Sequence, residues 1–170
     1  HQHHHQRAGR HLQRHRRALI GPGRGVELVH AQAIALSARL QGIRAVILMP
    51  IDAPQATLGI VTHGKSFLDV FAGTGAFGIE ALSRGAKSVC FIENDRNAIG
   101  ILNENIKSCR LENSTKVISK DATKLDNKIG TFDIIFLDPP YEKGLVNLAL
   151  VKLLDLGTID ENTLIIAEHK

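Results

Sequence analysis

Leu68-Asp-Val-Phe-Ala-Gly-Thr-Gly-Ala-Phe-Gly78 decides the fold, because an apolar run feeds directly into three closely spaced glycines. Residues 67–71 are apolar apart from Asp69 and read as a buried strand. Gly73, Gly75 and Gly78 permit a tight turn and a close backbone approach to a ligand. Residues 78–84 then read as a helix that Gly85 stops. The same alternation repeats downstream. Further strands are expected at 88–92, 115–119, 133–137 and 163–167, and helices at 96–109 and 145–154. Ala98, Ile99, Leu102 and Ile106 fall on one helical face, and 133–137 is almost continuously apolar, as a central parallel strand should be. The pattern predicts an α/β fold: a Rossmann-like, doubly wound, mostly parallel sheet covered by helices.

In such sheets the ligand site lies at the carboxyl ends of the strands. Asp69, Phe71, Ala72, Gly73, Thr74, Gly75 and Gly78 surround the first turn. A carboxylate at Asp69 suits a cofactor that carries a cationic amino acid portion. Glu93, followed by Asn94, ends the second strand 24 positions after Asp69 and can accept both hydroxyls of a ribose. Asp121 and Ala122 follow the third strand, where they could flank an adenine edge. Asp138 ends the fourth and opens Asp138-Pro-Pro-Tyr141, 65 positions after Gly73.

An exocyclic amino nitrogen is a poor nucleophile, because its lone pair is delocalised into the base. Two acceptors, the Asp138 carboxylate and the Pro139 carbonyl, would turn that lone pair toward a methyl donor. Pro139 and Pro140 fix φ and so stiffen the loop, and Tyr141 offers a face for stacking, worth about 1–3 kcal/mol per base. The chemistry is mostly positioning, needs no metal, and requires a base that is flipped out or unpaired. Gly73-Thr-Gly-Ala-Phe-Gly78 is also a G-x-G-x-x-G, so an NAD-dependent oxidoreductase has to be weighed. Asp69 beside the loop and Asp138–Tyr141 after the fourth strand favour methyl transfer from S-adenosylmethionine instead.

Residues 68–141 resemble the bacterial small-subunit ribosomal RNA guanine-N2 methyltransferases. The string Asp69-Val-Phe-Ala-Gly-Thr-Gly-Ala-Phe-Gly-Ile-Glu-Ala-Leu-Ser-Arg-Gly-Ala86 is close to that family's cofactor motif, and Asp138-Pro-Pro-Tyr141 matches its catalytic motif. The likeness extends over residues 58–170. It implies a class I methyltransferase fold, S-adenosylmethionine as cofactor, and the N2 amino group of a guanine in small-subunit ribosomal RNA as target. The alternatives are a DNA or other RNA amino-methyltransferase, or an inactive chimeric or truncated chain. The family carries a basic N-terminal arm, which residues 1–57 do not match, and a final hairpin beyond the fifth strand. The sheet is therefore expected to stop at that strand and leave its edge unpaired, an aggregation risk.

Charge divides the chain. Residues 1–57 hold eight Arg, no Lys and two acids, a net of +6. Residues 58–170 hold ten Lys, three Arg and fifteen acids, a net of −2. The switch suggests a junction near residues 55–59. Residues 1–28 read as a basic, low-complexity, disordered segment, and 29–57 as a helix (29–40) and a strand (45–49) of unrelated origin. Residues 30–54, from His30-Ala-Gln to Met49-Pro, resemble a piece of the pyridoxal-phosphate threonine dehydratases, without that family's Ser-Gly-Asn loop or any lysine for a Schiff base. A net of −2 is poor for gripping phosphates; Lys65, Arg84, Lys87 and Lys143 could form a local patch for ribosomal RNA or an assembling small subunit, but they read more readily as ordinary solvated charges. Two cysteines without metal-like spacing read as reduced thiols. With no apolar run of about 18 residues and no signal core, a cytoplasmic, monomeric protein away from membranes is expected.

Overall fold

A computed structural model describes residues 45–50, 63–138 and 144–169. Its strands are β1 (Ala45–Pro50), β2 (Ser66–Val70), β3 (Ser88–Glu93), β4 (Thr115–Ser119), β5 (Ile134–Leu137) and β6 (Leu164–His169). Its helices are α1 (Ala76–Ser83), α2 (Arg96–Ser108) and α3 (Leu145–Asp155). The strands form one sheet in the order β1-β6-β5-β2-β3-β4, with every neighbouring pair parallel. From β2 the chain winds outward through β3 and β4, then crosses back to β5 and β6. The order thus reverses between β2 and β5, the crevice where open α/β sheets bind ligands.

Side-chain alternation divides the core between two faces. Phe67, Val89, Phe91, Ile134, Phe136 and Ile166 pack with Ala81 of α1 and with Leu102 and Ile106 of α2. Leu68, Val70, Cys90, Ile92, Ile135, Leu137 and Ile165 face the other way, onto Ala149, Leu150 and Leu153 of α3. Both layers being helical explains why the strands are apolar on both faces. Phe77 ties α1 to the sheet, its ring stacked on Phe136 with centroids 3.5 Å apart.

The observed boundaries have local causes. Helix α1 ends at Gly85, whose φ of 97° lets Gly85 N–H donate to Leu82 O and Ala86 N–H to Ala81 O, each at 3.0 Å. Asp95 caps α2 by accepting from Ala98 N–H at 2.8 Å. The fourth strand runs from Ile134, and Asp133 just before it pins the amino ends of β2 and β5, its carboxylate accepting from Ser66 N–H and Ser66 Oγ–H at 2.9 and 3.1 Å. The first predicted strand ends at Val70, because Phe71 turns left-handed at φ 61°.

The expectation of an unpaired edge beside the last strand is corrected. β1 runs along β6 from Ala45 opposite Leu164 to Pro50 opposite His169. The strand expected at 45–49 therefore exists and belongs to the same sheet as the rest. Pro50 is tolerated as its last residue because β1 is an edge strand. The helix expected at 29–40 lies outside the described residues. Among those described, no helix is long and apolar enough to cross a membrane.

Candidate active site

The parallel register makes the strands end level. Val70 stands opposite both Ile92 and Leu137, and Glu93 opposite Ser119. The loops that start at Phe71, Asn94, Lys120 and Asp138 therefore leave one edge of the sheet together. The first of them, 71–75, turns on left-handed residues: Phe71 at φ 61°, Gly73 at 58° and Gly75 at 83°. A non-glycine residue at such a φ costs about 1–3 kcal/mol. Phe71 is held there by packing against the α3-side core.

The glycines have separate reasons. A Cβ on Gly75 would run into Leu102, and one on Gly78 would stand 2.8 Å from Val89 Cγ1, so both let helices approach closely. At Gly73 nothing lies within 4 Å of the same position, so this glycine faces open space on the loop.

Three carboxylates organise the edge. Glu93 Oε1 accepts from Gly73 N–H at 2.8 Å, and Oε2 from Asn94 and Asp95 N–H at 3.0 and 2.9 Å. Glu93, a ribose acceptor in the sequence reading, ties the glycine loop to the end of β3. Asp69 is only 1% exposed and accepts from Gly78 N–H at 3.1 Å. Burial raises its pKa from 3.8 to about 7; the Gly78 hydrogen bond opposes the rise, and the charges of Asp138 and Glu93 add to it. Asp69 thus lies beneath the loop, holding the start of α1, rather than on open surface. Asp121 caps a short turn at Ala122–Lys124. It accepts from Thr123 N–H and Oγ1–H at 2.9 and 2.7 Å, and those bonds hold its carboxyl below the ordinary range.

A shallow, partly open depression lies here, lined by Phe71, Ile92, Glu93, Asn94, Lys120, Asp121 and Ala122. Five of these are among the residues the sequence offers for a cofactor. Ile92 and Lys120 are not, although Lys120 directly follows β4 and the carboxyl-end rule could have found it. Its ammonium meets Asp126 at 2.9 Å on the surface. Asn105 was also missed: its Nδ2 donates to Thr74 O at 2.9 Å. Asp138 is exposed at the end of β5, beside the glycine loop. Pro139, Pro140 and Tyr141 lie outside the described residues. So does Lys143, and the other three cations weighed as a patch, Lys65, Arg84 and Lys87, are not beside the site. Lys65 precedes β2 and Lys87 precedes β3, joined by Lys87 N–H to Lys65 O at 2.8 Å, and Arg84 ends α1. These cations sit at the amino edge, the opposite end of the strands.

The sequence pattern of the Conserved hypothetical protein 95 family matches residues 53–170. The chain belongs to that family. Among curated proteins, it is 34% identical over 116 residues to "Putative rRNA methyltransferase YlbH" of Bacillus subtilis (strain 168), covering 66% of this chain and 63% of the relative. It is 38% identical over 103 residues to "Ribosomal RNA small subunit methyltransferase D" of Escherichia coli (strain K12), covering 61% and 52%. The chain therefore spans between about half and just under two thirds of the length of these relatives. Among solved structures, "Putative methyltransferase yhhF from Escherichia coli" superposes with a TM-score of 0.61 at 34% identity, over 68% of this chain and 66% of that one. The Conserved hypothetical protein 95 fold in this chain is accordingly the class I methyltransferase sheet, with its glycine loop and Asp138 on either side of the β2/β5 crevice.

Proposed function

We propose that the protein transfers a methyl group from S-adenosylmethionine to the N2 amino group of a guanine in small-subunit ribosomal RNA, acting as a cytoplasmic monomer on free RNA or an assembling subunit. The observation that carries the proposal is the register of β2 and β5, which brings Asp138 alongside the glycine loop. The named relatives, ribosomal RNA methyltransferases, support the same substrate class.

The residues present fit the cofactor. Gly73 has open space on its free side, and the adjoining pocket combines an aromatic ring (Phe71) with two carboxylates (Glu93 and Asp121). Beyond its three backbone bonds Glu93 retains one acceptor position, on Oε1, for a ribose hydroxyl. Asp121 and Ala122 would border the adenine, and Asp69, whose pKa is about 7, would be drawn toward its charged form by a nearby ammonium. When bound, S-adenosylmethionine supplies an electrophilic methyl on a sulfonium.

The chain's part is to aim the acceptor. The Asp138 carboxylate takes one N–H of the guanine amino group, and the Pro139 carbonyl takes the other. The lone pair then points across the crevice. Tyr141 stacks the base, and Pro140 stiffens the loop. The amino nitrogen sheds one proton as it gains the methyl, and Asp138 is the carboxylate in reach to accept it.

Incubation of the chain with radiolabelled S-adenosylmethionine and small-subunit RNA or particles, then nucleoside chromatography, tests this. The expected product is N2-methylguanosine. Label on adenine, on DNA or on large-subunit RNA would replace the proposed target with another amino group. Absence of transfer to any of them would remove the proposal for this chain.

A further inference from the structure

We infer that Asn105 is a positioning residue for the glycine loop, setting the face that 73–75 presents to a bound nucleoside cofactor; this rests on the cofactor reading above. The loop carries four anchors. Ala72 N–H donates to Ile92 O at 2.9 Å, Gly73 N–H to Glu93 Oε1 at 2.8 Å, and Gly75 N–H to Ala72 O at 2.9 Å. The fourth is Asn105 Nδ2 to Thr74 O at 2.9 Å, spanning 31 positions of chain.

The third and fourth anchors act on a single peptide unit. The Thr74 carbonyl is held by Asn105, and the N–H of the same peptide, on Gly75, is held by Ala72. A peptide plane gripped at both ends cannot rotate, and rotation is the freedom that Gly75 on one side of it would otherwise allow. One turn earlier on α2, Leu102 fills the space that a Cβ on Gly75 would need. Helix α2 therefore forms the back wall of the loop, with Leu102 closing it sterically and Asn105 fixing its orientation. Asn105 does not line the pocket and meets the loop at Thr74 O, so it acts through Thr74 rather than by touching ligand.

Asn105→Ala removes the donor and suits a helix at least as well as asparagine. Asn105→Gln keeps an amide donor on a longer stem and serves as the rescue. Hydrogen exchange of the full chain reads the loop without any ligand. The Gly75 amide should exchange about five- to ten-fold faster in Asn105→Ala, the effect of losing one net hydrogen bond, while β2, β3 and β5 amides keep their protection. The glutamine variant should recover part of it. Titration with S-adenosylmethionine should show a dissociation constant raised by a similar factor, with turnover at saturating donor and RNA affinity unchanged. Unchanged loop exchange in Asn105→Ala overturns the inference, and so does loss of protection spread evenly over the sheet, which would make Asn105 a general stabiliser. Failure of the unaltered chain to bind S-adenosylmethionine would instead strike the cofactor reading, with the exchange result still deciding the role of Asn105 in the loop.

Discussion

Asp69 offers the sharpest test of the electrostatics beneath the glycine loop. Its carboxyl has a pKa of about 7 in the folded chain, against an ordinary 3.8, chiefly because it is buried. Between those values the folded chain keeps a proton that the unfolded chain has released. Its contribution to stability is therefore largest in acid and falls as pH rises, by up to about 1.4 kcal/mol per pH unit. Across the whole window the loss approaches about 4 kcal/mol, a large part of the roughly 5–15 kcal/mol that holds a domain together. Asp69→Asn keeps the size and an oxygen to accept from Gly78 N–H, and it cannot ionise. Relative to the unaltered chain, the variant should gain about 3 kcal/mol between about pH 5 and pH 8. Urea denaturation followed by circular dichroism, repeated across that range at one ionic strength, measures the difference. A difference that stays flat with pH would refute the reasoning. Asp138→Asn should shrink the gain, because it removes one of the two charges that push Asp69 toward its protonated form.

Other outcomes follow from the same geometry. Gly78→Ala places a methyl 2.8 Å from Val89 Cγ1 and against Phe91; overpacking of about 1–3 kcal/mol should exceed the helix-propensity gain of up to about 1 kcal/mol and lower the urea midpoint. Glu93→Ala frees three backbone N–H groups and should weaken S-adenosylmethionine binding about ten- to a hundred-fold, read by calorimetry. Asp138→Ala, at an exposed position, should change stability by less than about 0.5 kcal/mol and leave cofactor affinity intact, yet lower methyl transfer by about a hundred-fold or more in a single-turnover assay. Lys65→Glu combined with Lys87→Glu, at the amino edge, should leave cofactor affinity unchanged, and a loss there would contradict the placement of the site.

Much of the fold was legible because burial on both faces makes each strand a short apolar run and because glycine marks turns that other residues resist. The site was legible to the extent that it sits where strands end: Glu93, Asp121 and Asp138 each follow an apolar run directly. Asn105 was not, because a polar residue in the last turn of a helix carries no local sign that it reaches a loop 31 positions away. The burial of Asp69 was equally hidden. An acid within an apolar strand reads as a ligand contact, and only the packing of α1 over the sheet shows that its first partner is Gly78 N–H. The edge of β6 was misjudged for a related reason. Periodicity identifies a strand at 45–49 but says nothing about which neighbour its backbone will choose.

By itself, then, the sequence determined the elements, the turn at Gly73–Gly75 and the kinds of group available for chemistry. These follow from local sterics and from the period of apolar residues, which the chain carries wherever it folds. Tertiary structure alone decided the strand order, the level register that gathers Phe71, Glu93, Asp121 and Asp138 at one edge, the pairing of β1 with β6, and the proton held by Asp69. Each of those depends on contacts between segments far apart in the chain, and on the low dielectric that exists only once the segments have packed.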